Sequence, residues 1–197
     1  MTKEMLFEEL VNKVSSCNGC PRMEKRTRVL GLACGKLDAQ ILFIGEAPGR
    51  LGADISGIPF TGDQTGDNFN EFIESIHWNR DMFFITNAVL CNPRDNAGNN
   101  APPLDSEIKR CSVYLEKLIE IIRPKLIITL GNKALKGLGY IKKHNIELKS
   151  GVARIHQWNS TLVFPLYHPG PKALINRPKD LQKNDYANLA KISNSIT

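Results

Sequence analysis

Ile41-Leu42-Phe43-Ile44-Gly45-Glu46-Ala47-Pro48-Gly49-Arg50 runs from four consecutive apolar residues straight into a turn rich in Gly and Pro. A short apolar run without alternation reads as a strand buried on both faces, and Gly45 marks its end. Three further runs have the same form: Phe83-Phe84-Ile85-Thr86, Leu126-Ile127-Ile128-Thr129-Leu130 and Leu162-Val163-Phe164-Pro165-Leu166. Helical segments lie between and around them. Leu6, Leu10, Val11 and Val14 predict a helix over 3–16, residues 66–77 a second, and residues 104–122 a long one stopped before Pro124. Gly131-Asn132 opens another, and the last 15–20 residues are expected to be helical. Residues 21–40 carry no clear period beyond a short strand expected at Arg28–Leu32, and residues 92–103 form a polar loop rich in Asn and Pro. Strands alternating with helices specify an α/β protein: a three-layer α/β/α sandwich around a central, mainly parallel four-stranded sheet. The 197 residues are expected to form one domain, 1–197.

Hydrophobic residues make up 42% and charged residues 23%, which fits a soluble globular chain and leaves ample material for a core. No apolar run approaches the roughly 18–20 residues of a membrane helix. Met1-Thr2-Lys3-Glu4-Met5 lacks the features of a signal peptide, so a cytoplasmic protein without a membrane partner is expected. The net charge of +6 is uneven. Residues 1–100 hold 10 Lys/Arg against 13 Asp/Glu, and residues 101–197 hold 16 against 7. A basic half suits a polyanion such as nucleic acid, or is a solvated surface with no partner.

Open parallel sheets bind ligands beyond the carboxyl ends of their strands. Glu46 follows the first strand, Asn87 the second and His168 the fourth, so the fold brings three distant polar residues to one edge. Glu46 at that edge is a base or an electrostatic stabiliser, or simply a surface Glu. Phe60, in the loop Gly57-Ile58-Pro59-Phe60-Thr61-Gly62-Asp63, is a stacking platform or a loop anchor. The planar amide of Asn87 can pair in two places with the edge of a base, or it ties down a turn. His168, within Tyr167-His168-Pro169-Gly170-Pro171-Lys172, is held by Pro and Gly and can donate to a developing anion. His77, His144 and His156 lack such surroundings and read as structural. The first loop is no P-loop, because the GK[ST] ending is missing.

There are five cysteines, Cys17, Cys20, Cys34, Cys91 and Cys111, and disulfides are not expected in a cytoplasmic protein. Cys17-Asn18-Gly19-Cys20 is a CxxC pair. It follows a helix and precedes Pro21, whereas a redox pair normally follows a strand and opens a helix, so metal binding is favoured.

The order GEAPG, GxPF, strand-end Asn, Leu-Gly after a strand and HPxP resembles the uracil-DNA glycosylase superfamily over roughly residues 17–177. A CxxC near the N-terminus and two cysteines around the loop after the Asn strand resemble its iron–sulfur type, family 4. Thr61-Gly62-Asp63-Gln64-Thr65-Gly66 is more similar to family 5. Ala53-Asp54 replaces an acidic pair common in family 4, and nineteen residues separate Cys91 from Cys111, slightly long for that family. The resemblance implies a base-excision repair enzyme that flips uracil out of DNA and hydrolyses its glycosidic bond without a catalytic metal. It implies that Phe60 stacks on the base, Asn87 pairs with N3–H and O4, and backbone amides from Ala47 to Arg50 touch the base. His168 would donate to O2, and Glu46 would orient water or stabilise the positive sugar. Leu174 would be the wedge entering DNA, with Lys172 and Arg177 near phosphates. Cys17, Cys20, Cys91 and Cys111 would hold one structural 4Fe-4S cluster, with Cys34 left out; four thiolates suit zinc as well. The expected partner is uracil-containing DNA, met by a monomer. Alternatives are a glycosylase for hypoxanthine or xanthine and a non-catalytic nucleic-acid-binding module with a structural metal.

Overall fold

The computed structural model describes residues 1–193. The strands are β1 (Ile41–Gly45), β2 (Phe84–Asn87), β3 (Leu126–Leu130), β4 (His156–Trp158) and β5 (Thr161–Leu166), in the spatial order β2-β1-β3-β5-β4. The first three and β5 are parallel; β4 alone runs antiparallel, against β5. Five strands therefore stand where the sequence reading has four. The extra strand is three residues long and is joined to β5 by a tight turn with Asn159 at φ 53°, too short for its period to register. No strand forms at Arg28–Leu32. A single bond from the Val29 N–H to the Leu90 carbonyl (2.8 Å) is followed by a 3-10 turn at Leu32–Cys34. There the chain crosses the open edge of β2 at Gly35, where a Cβ would stand 2.5 Å from the Phe83 carbonyl oxygen. The crossing covers an edge that would otherwise invite pairing.

The helices are α1 (Lys3–Ser15), α2 (Ala53–Ser56), α3 (Gln64–Ser75), α4 (Asp105–Ile122), α5 (Asn132–Ile141), α6 (Leu148–Gly151), α7 (Pro171–Asn176) and α8 (Lys179–Ser193). The expected C-terminal helix is α8; the part of that expectation that falls on residues 194–197 lies outside the described residues. Successive strand side chains point to opposite faces. Leu42, Ile44, Phe84, Ile127 and Val163 meet α1, α4 and α5 on one side of the sheet. Ile41, Phe43, Ile85, Ile128 and Phe164 meet α3 and α8 on the other. Both faces are covered, which is why the strands read as unbroken apolar runs. Phe43, Phe69 and Phe83 pack edge to face where α3 meets the sheet, with ring centroids 4.8–6.0 Å apart. Each such buried ring is worth roughly 1.5–3 kcal/mol. No helix among the described residues is long and apolar enough to cross a membrane.

Candidate active site

A cleft of about 570 Å³ opens beyond the carboxyl ends of the parallel strands. Its lining includes Glu46, Ala47, Phe60, Asn87, His168 and Lys172, six residues drawn from four separate segments. The sequence reading sets Glu46, Asn87 and His168 at one edge by topology, and adds Ala47 and Phe60 at the base and Lys172 near phosphates by resemblance. Leu174 and Arg177 do not line the cleft.

Asn87 ends β2 opposite Gly45, the last residue of β1. It is 2% exposed, and its Nδ2 has no hydrogen-bond partner. A buried donor without a partner is costly, by roughly 1–3 kcal/mol, and calls for an explanation such as a ligand. Gly45 makes the arrangement possible: a Cβ there would lie 2.4 Å from Asn87 Oδ1 and 2.9 Å from the Phe60 ring. Phe60 stands over the same spot in a left-handed backbone conformation, φ 56°, packed at 4.7 Å on Phe69 and 6.0 Å from the His168 ring.

The Gly170 N–H donates to His168 Nδ1 (3.0 Å). With that nitrogen accepting, the neutral ring carries its hydrogen on Nε2, as a donor. Burial pushes the imidazole pKa down to about 4, so the ring is neutral at physiological pH. From α3, buried Asn68 donates to the Pro169 carbonyl (2.7 Å) and pins the loop that carries the histidine. Glu46 lies just past β1, and its carbonyl accepts the Val89 N–H (3.1 Å). Burial raises the Glu46 pKa, and nearby Lys133 acts against that rise.

The turn after Glu46 is braced from residues 92–100, read from sequence only as a polar loop. Asn92, 1% exposed, donates to the Pro48 carbonyl (2.7 Å) and to Asn100 Oδ1 (2.9 Å). That same oxygen accepts the Arg50 N–H (2.9 Å). Arg94 donates to Asn92 Oδ1 (2.7 Å) and pairs with Asp54 (2.7 Å). The density of Asn in this loop was the one available sign of such bracing.

In α7, Leu174 packs against the core beneath α3 and α8, whereas its neighbour Ile175 is 83% exposed. Arg177 pairs with buried Asp185 through two guanidinium nitrogens and lies 5.8 Å over the Tyr167 ring. It ties α7 to α8, whereas Lys172 is exposed at the cleft. His144 and His156 contact the Leu135 and Gly151 carbonyls, and neither these two nor His77 lines the cleft.

Cys17, Cys20, Cys91 and Cys111 line one small pocket with Arg28, Arg110 and Tyr114. The Leu90 N–H donates to Cys111 Sγ (3.4 Å), and Arg110 reaches Cys20 Sγ (3.8 Å). Arg28 holds the Cys17 carbonyl (2.6 Å). Arg22 pairs with buried Glu107 (2.5 Å), docking the CxxC segment on the start of α4. Cys34 is buried elsewhere. Among the described residues, no three His, Cys, Asp or Glu side chains are gathered to hold a metal ion.

A parallel α/β sheet with a cleft at its strand ends, an orphaned amide, an aromatic platform and a neutral histidine donor has the form of a nucleobase-binding enzyme. The description "Uracil DNA glycosylase superfamily" matches residues 33–190, and the chain belongs to that family. Similar proteins include the Type-4 uracil-DNA glycosylase of Saccharolobus solfataricus, 40% identical over 86% of this chain and 77% of that one. Another is the Type-4 uracil-DNA glycosylase of Thermotoga maritima, 34% identical over 92% of this chain and 90% of its own. The Type-5 uracil-DNA glycosylase of Pyrobaculum aerophilum is 26% identical over 84% of this chain and 83% of its own, in keeping with the mixed first motif.

Proposed function

We propose that this protein hydrolyses the N-glycosidic bond of uracil in DNA. The observation that carries the reading is the unpaired Asn87 Nδ2, buried in the cleft that the Phe60 ring and the neutral His168 also line. A glycosylase takes its base out of the stack. The flipped uracil stacks on Phe60 and pairs with Asn87 through N3–H and O4. Ala47 lies beside it in the braced turn. As the bond from C1′ to N1 breaks, its electron pair moves onto the uracil ring and O2, where His168 Nε2–H donates. Water then adds to C1′ of the sugar and gives up a proton. Glu46, when ionised, faces the positive sugar or accepts that proton. Single-turnover excision on oligonucleotides carrying uracil, hypoxanthine or xanthine tests the reading. Uracil released first and fastest is expected; hypoxanthine or xanthine in its place, or no base at all, defeats it.

DNA reaches the cleft along α7, where Lys172 is the cation for a phosphate. Ile175 replaces Leu174 as the side chain free to fill the gap left by the flipped base. Ile175→Ala is expected to slow excision from duplex DNA by about tenfold, since an inserted apolar side chain offsets part of the few kcal/mol that unstacking a base step costs, while single-stranded substrate is little affected. Equal losses on both substrates would remove the wedge role from Ile175.

Cys17, Cys20, Cys91 and Cys111 hold one 4Fe-4S cluster in this reading. The four thiols line one pocket, which supports the assignment, though they are not gathered as donors to a single ion. Burial pushes the Cys91 and Cys111 thiols up to about 11 and 12, so ionising those two calls for a cation beside them. The donors of a zinc ion crowd within roughly 2.3 Å of one point, whereas a cluster holds its ligands further apart. When bound, the group cross-links the CxxC segment, the start of the 92–100 loop and α4; no step of the reaction passes through it. Purified protein is expected to be brown, with broad absorption at roughly 400 nm. Removal of the iron is expected to lower the melting temperature. Colourless protein with one equivalent of zinc would refute this assignment.

A further inference from the structure

Phe60 poses a problem that its place in the cleft does not answer. Bulky residues avoid the left-handed region, and they stay there only where the surroundings over-determine the backbone. The ring must also present one face to the cleft while the other rests on Phe69.

The constraint comes from outside the cleft. Arg80, in a 3-10 turn just before β2, reaches back across twenty positions of chain. One of its terminal nitrogens donates to the Pro59 carbonyl (2.9 Å) and the other to the Phe60 carbonyl (2.6 Å). The second also donates to Asn70 Oδ1 (3.1 Å), which ties the guanidinium to α3. Its carbon stands 5.3 Å over the ring of Phe69, the residue on which Phe60 rests. The two carbonyls flank the φ and ψ bonds of Phe60, so holding both fixes how the peptide planes turn around that residue. A rigid planar fork donates to both from fixed directions; a flexible ammonium can reach two oxygens but sets their orientation less closely. Arg80 lines a separate surface hollow with Cys34, Ile58 and Thr61 and does not line the cleft. It is therefore out of reach of a base bound there.

We propose that Arg80 is a positioning residue that holds Phe60 in its left-handed conformation and so sets the plane on which the flipped base stacks. The assignment rests on the uracil reading above and goes one step behind it. Asn70 and Phe69 complete the brace from α3, so the stacking plane is referenced to a helix rather than to the loop.

The test is a double-mutant cycle between Arg80→Gln and Phe60→Ala, read by single-turnover excision and by inhibition with free uracil. Melting temperatures are measured alongside, and all assays run where every variant is folded. Arg80→Gln is expected to weaken inhibition by free uracil and to slow excision, each by about tenfold, the scale of one base-stacking contact. Affinity for undamaged DNA is expected to stay unchanged. Arg80→Lys should fall between Gln and wild type, and it decides the matter if Arg80→Gln does not fold. On the Phe60→Ala background, either Arg80 substitution should add little, because the side chain it positions is gone. A loss from Arg80 that multiplies in full on that background, or unchanged inhibition by uracil in the folded Arg80 variants, would overturn the assignment. Wild-type protein that excises no uracil would overturn the parent reading, and this one with it.

Discussion

Replacing His168 by Ala is expected to slow single-turnover excision of uracil about 100- to 1000-fold, the usual cost of removing one donor to a developing oxyanion. Affinity for uracil-containing DNA should change little. The charge on uracil O2 appears only as the glycosidic bond stretches, so the bond to Nε2 strengthens on the way to the transition state and contributes to turnover more than to binding. The geometry sharpens the claim. With Gly170 donating to Nδ1, protonating the ring would break that bond. Burial holds the imidazole pKa at about 4, below its ordinary 6.5. Between these two values the unfolded chain binds a proton that the folded chain does not. His168 therefore contributes stability that is complete above about pH 6.5 and is lost as the pH falls toward 4. The donor form persists over the same range. Nitrogen NMR of the His168 ring should show no titration between about pH 5 and pH 8, with the hydrogen on Nε2 throughout. A midpoint near the ordinary value, or near-normal excision by His168→Ala, would remove the leaving-group role. Glu46→Ala should also lose activity, because it removes the negative charge set against the positive sugar and leaves the Lys133 cation nearby without that partner.

Most of the sheet was legible because its strands are buried on both faces. Each parallel strand shows as an apolar run, and two end at Gly45 and Asn87, where chemistry begins. The edge strand β4 was not legible. It spans three residues, of which only Trp158 is buried, and its existence depends on pairing with β5. Arg28–Leu32 failed in the opposite way: its residues suit a strand, but Gly35 carries the chain across the edge of β2 instead of along it. Glu46, Asn87 and His168 could be found because topology alone sends strand ends to one edge. Arg80, Asn68 and Asn92 could not. Their work is done through bonds to backbone carbonyls 20, 101 and 44 positions away, and nothing in the local sequence encodes the partner. Leu174 and Ile175 show the limit most plainly. Adjacent residues on a helix point roughly 100° apart, so which one faces the core is settled by the docking of α7 and not by composition. Arg177 is expected near phosphate because its charge is visible in the sequence; its pairing with buried Asp185, nearly two turns into α8, is not visible there.

The second large effect is expected at Asn87, and it concerns which base is cut. Uracil offers an acceptor at O4 and a donor at N3, and cytosine offers the reverse at both places. The Asn87 amide matches uracil with Nδ2 toward O4 and Oδ1 toward N3–H. Because Nδ2 is buried without a partner, uracil bound as proposed would satisfy a donor that the protein itself leaves unpaired. Cytosine would set its amino group against that donor. Asn87→Asp turns the donor into an acceptor and places a carboxylate against uracil O4. Excision of uracil should then fall about 100-fold, because a misplaced buried charge costs more than a lost neutral bond. The preference for uracil over cytosine should narrow by roughly 1–3 kcal/mol, the scale of one well-paired base edge, which is about 5- to 150-fold in relative rate. Asn87→Ala separates the two effects. It removes attraction to uracil and repulsion of cytosine together, so activity should drop and selectivity with it. Matched duplexes with one uracil or one cytosine, cut under single-turnover conditions, give both ratios. If Asn87→Ala keeps wild-type selectivity, the amide does not read the base. Discrimination would then have to come from the shape of the braced turn at Ala47–Arg50, which a one-atom change at the 4-position of a pyrimidine would scarcely disturb.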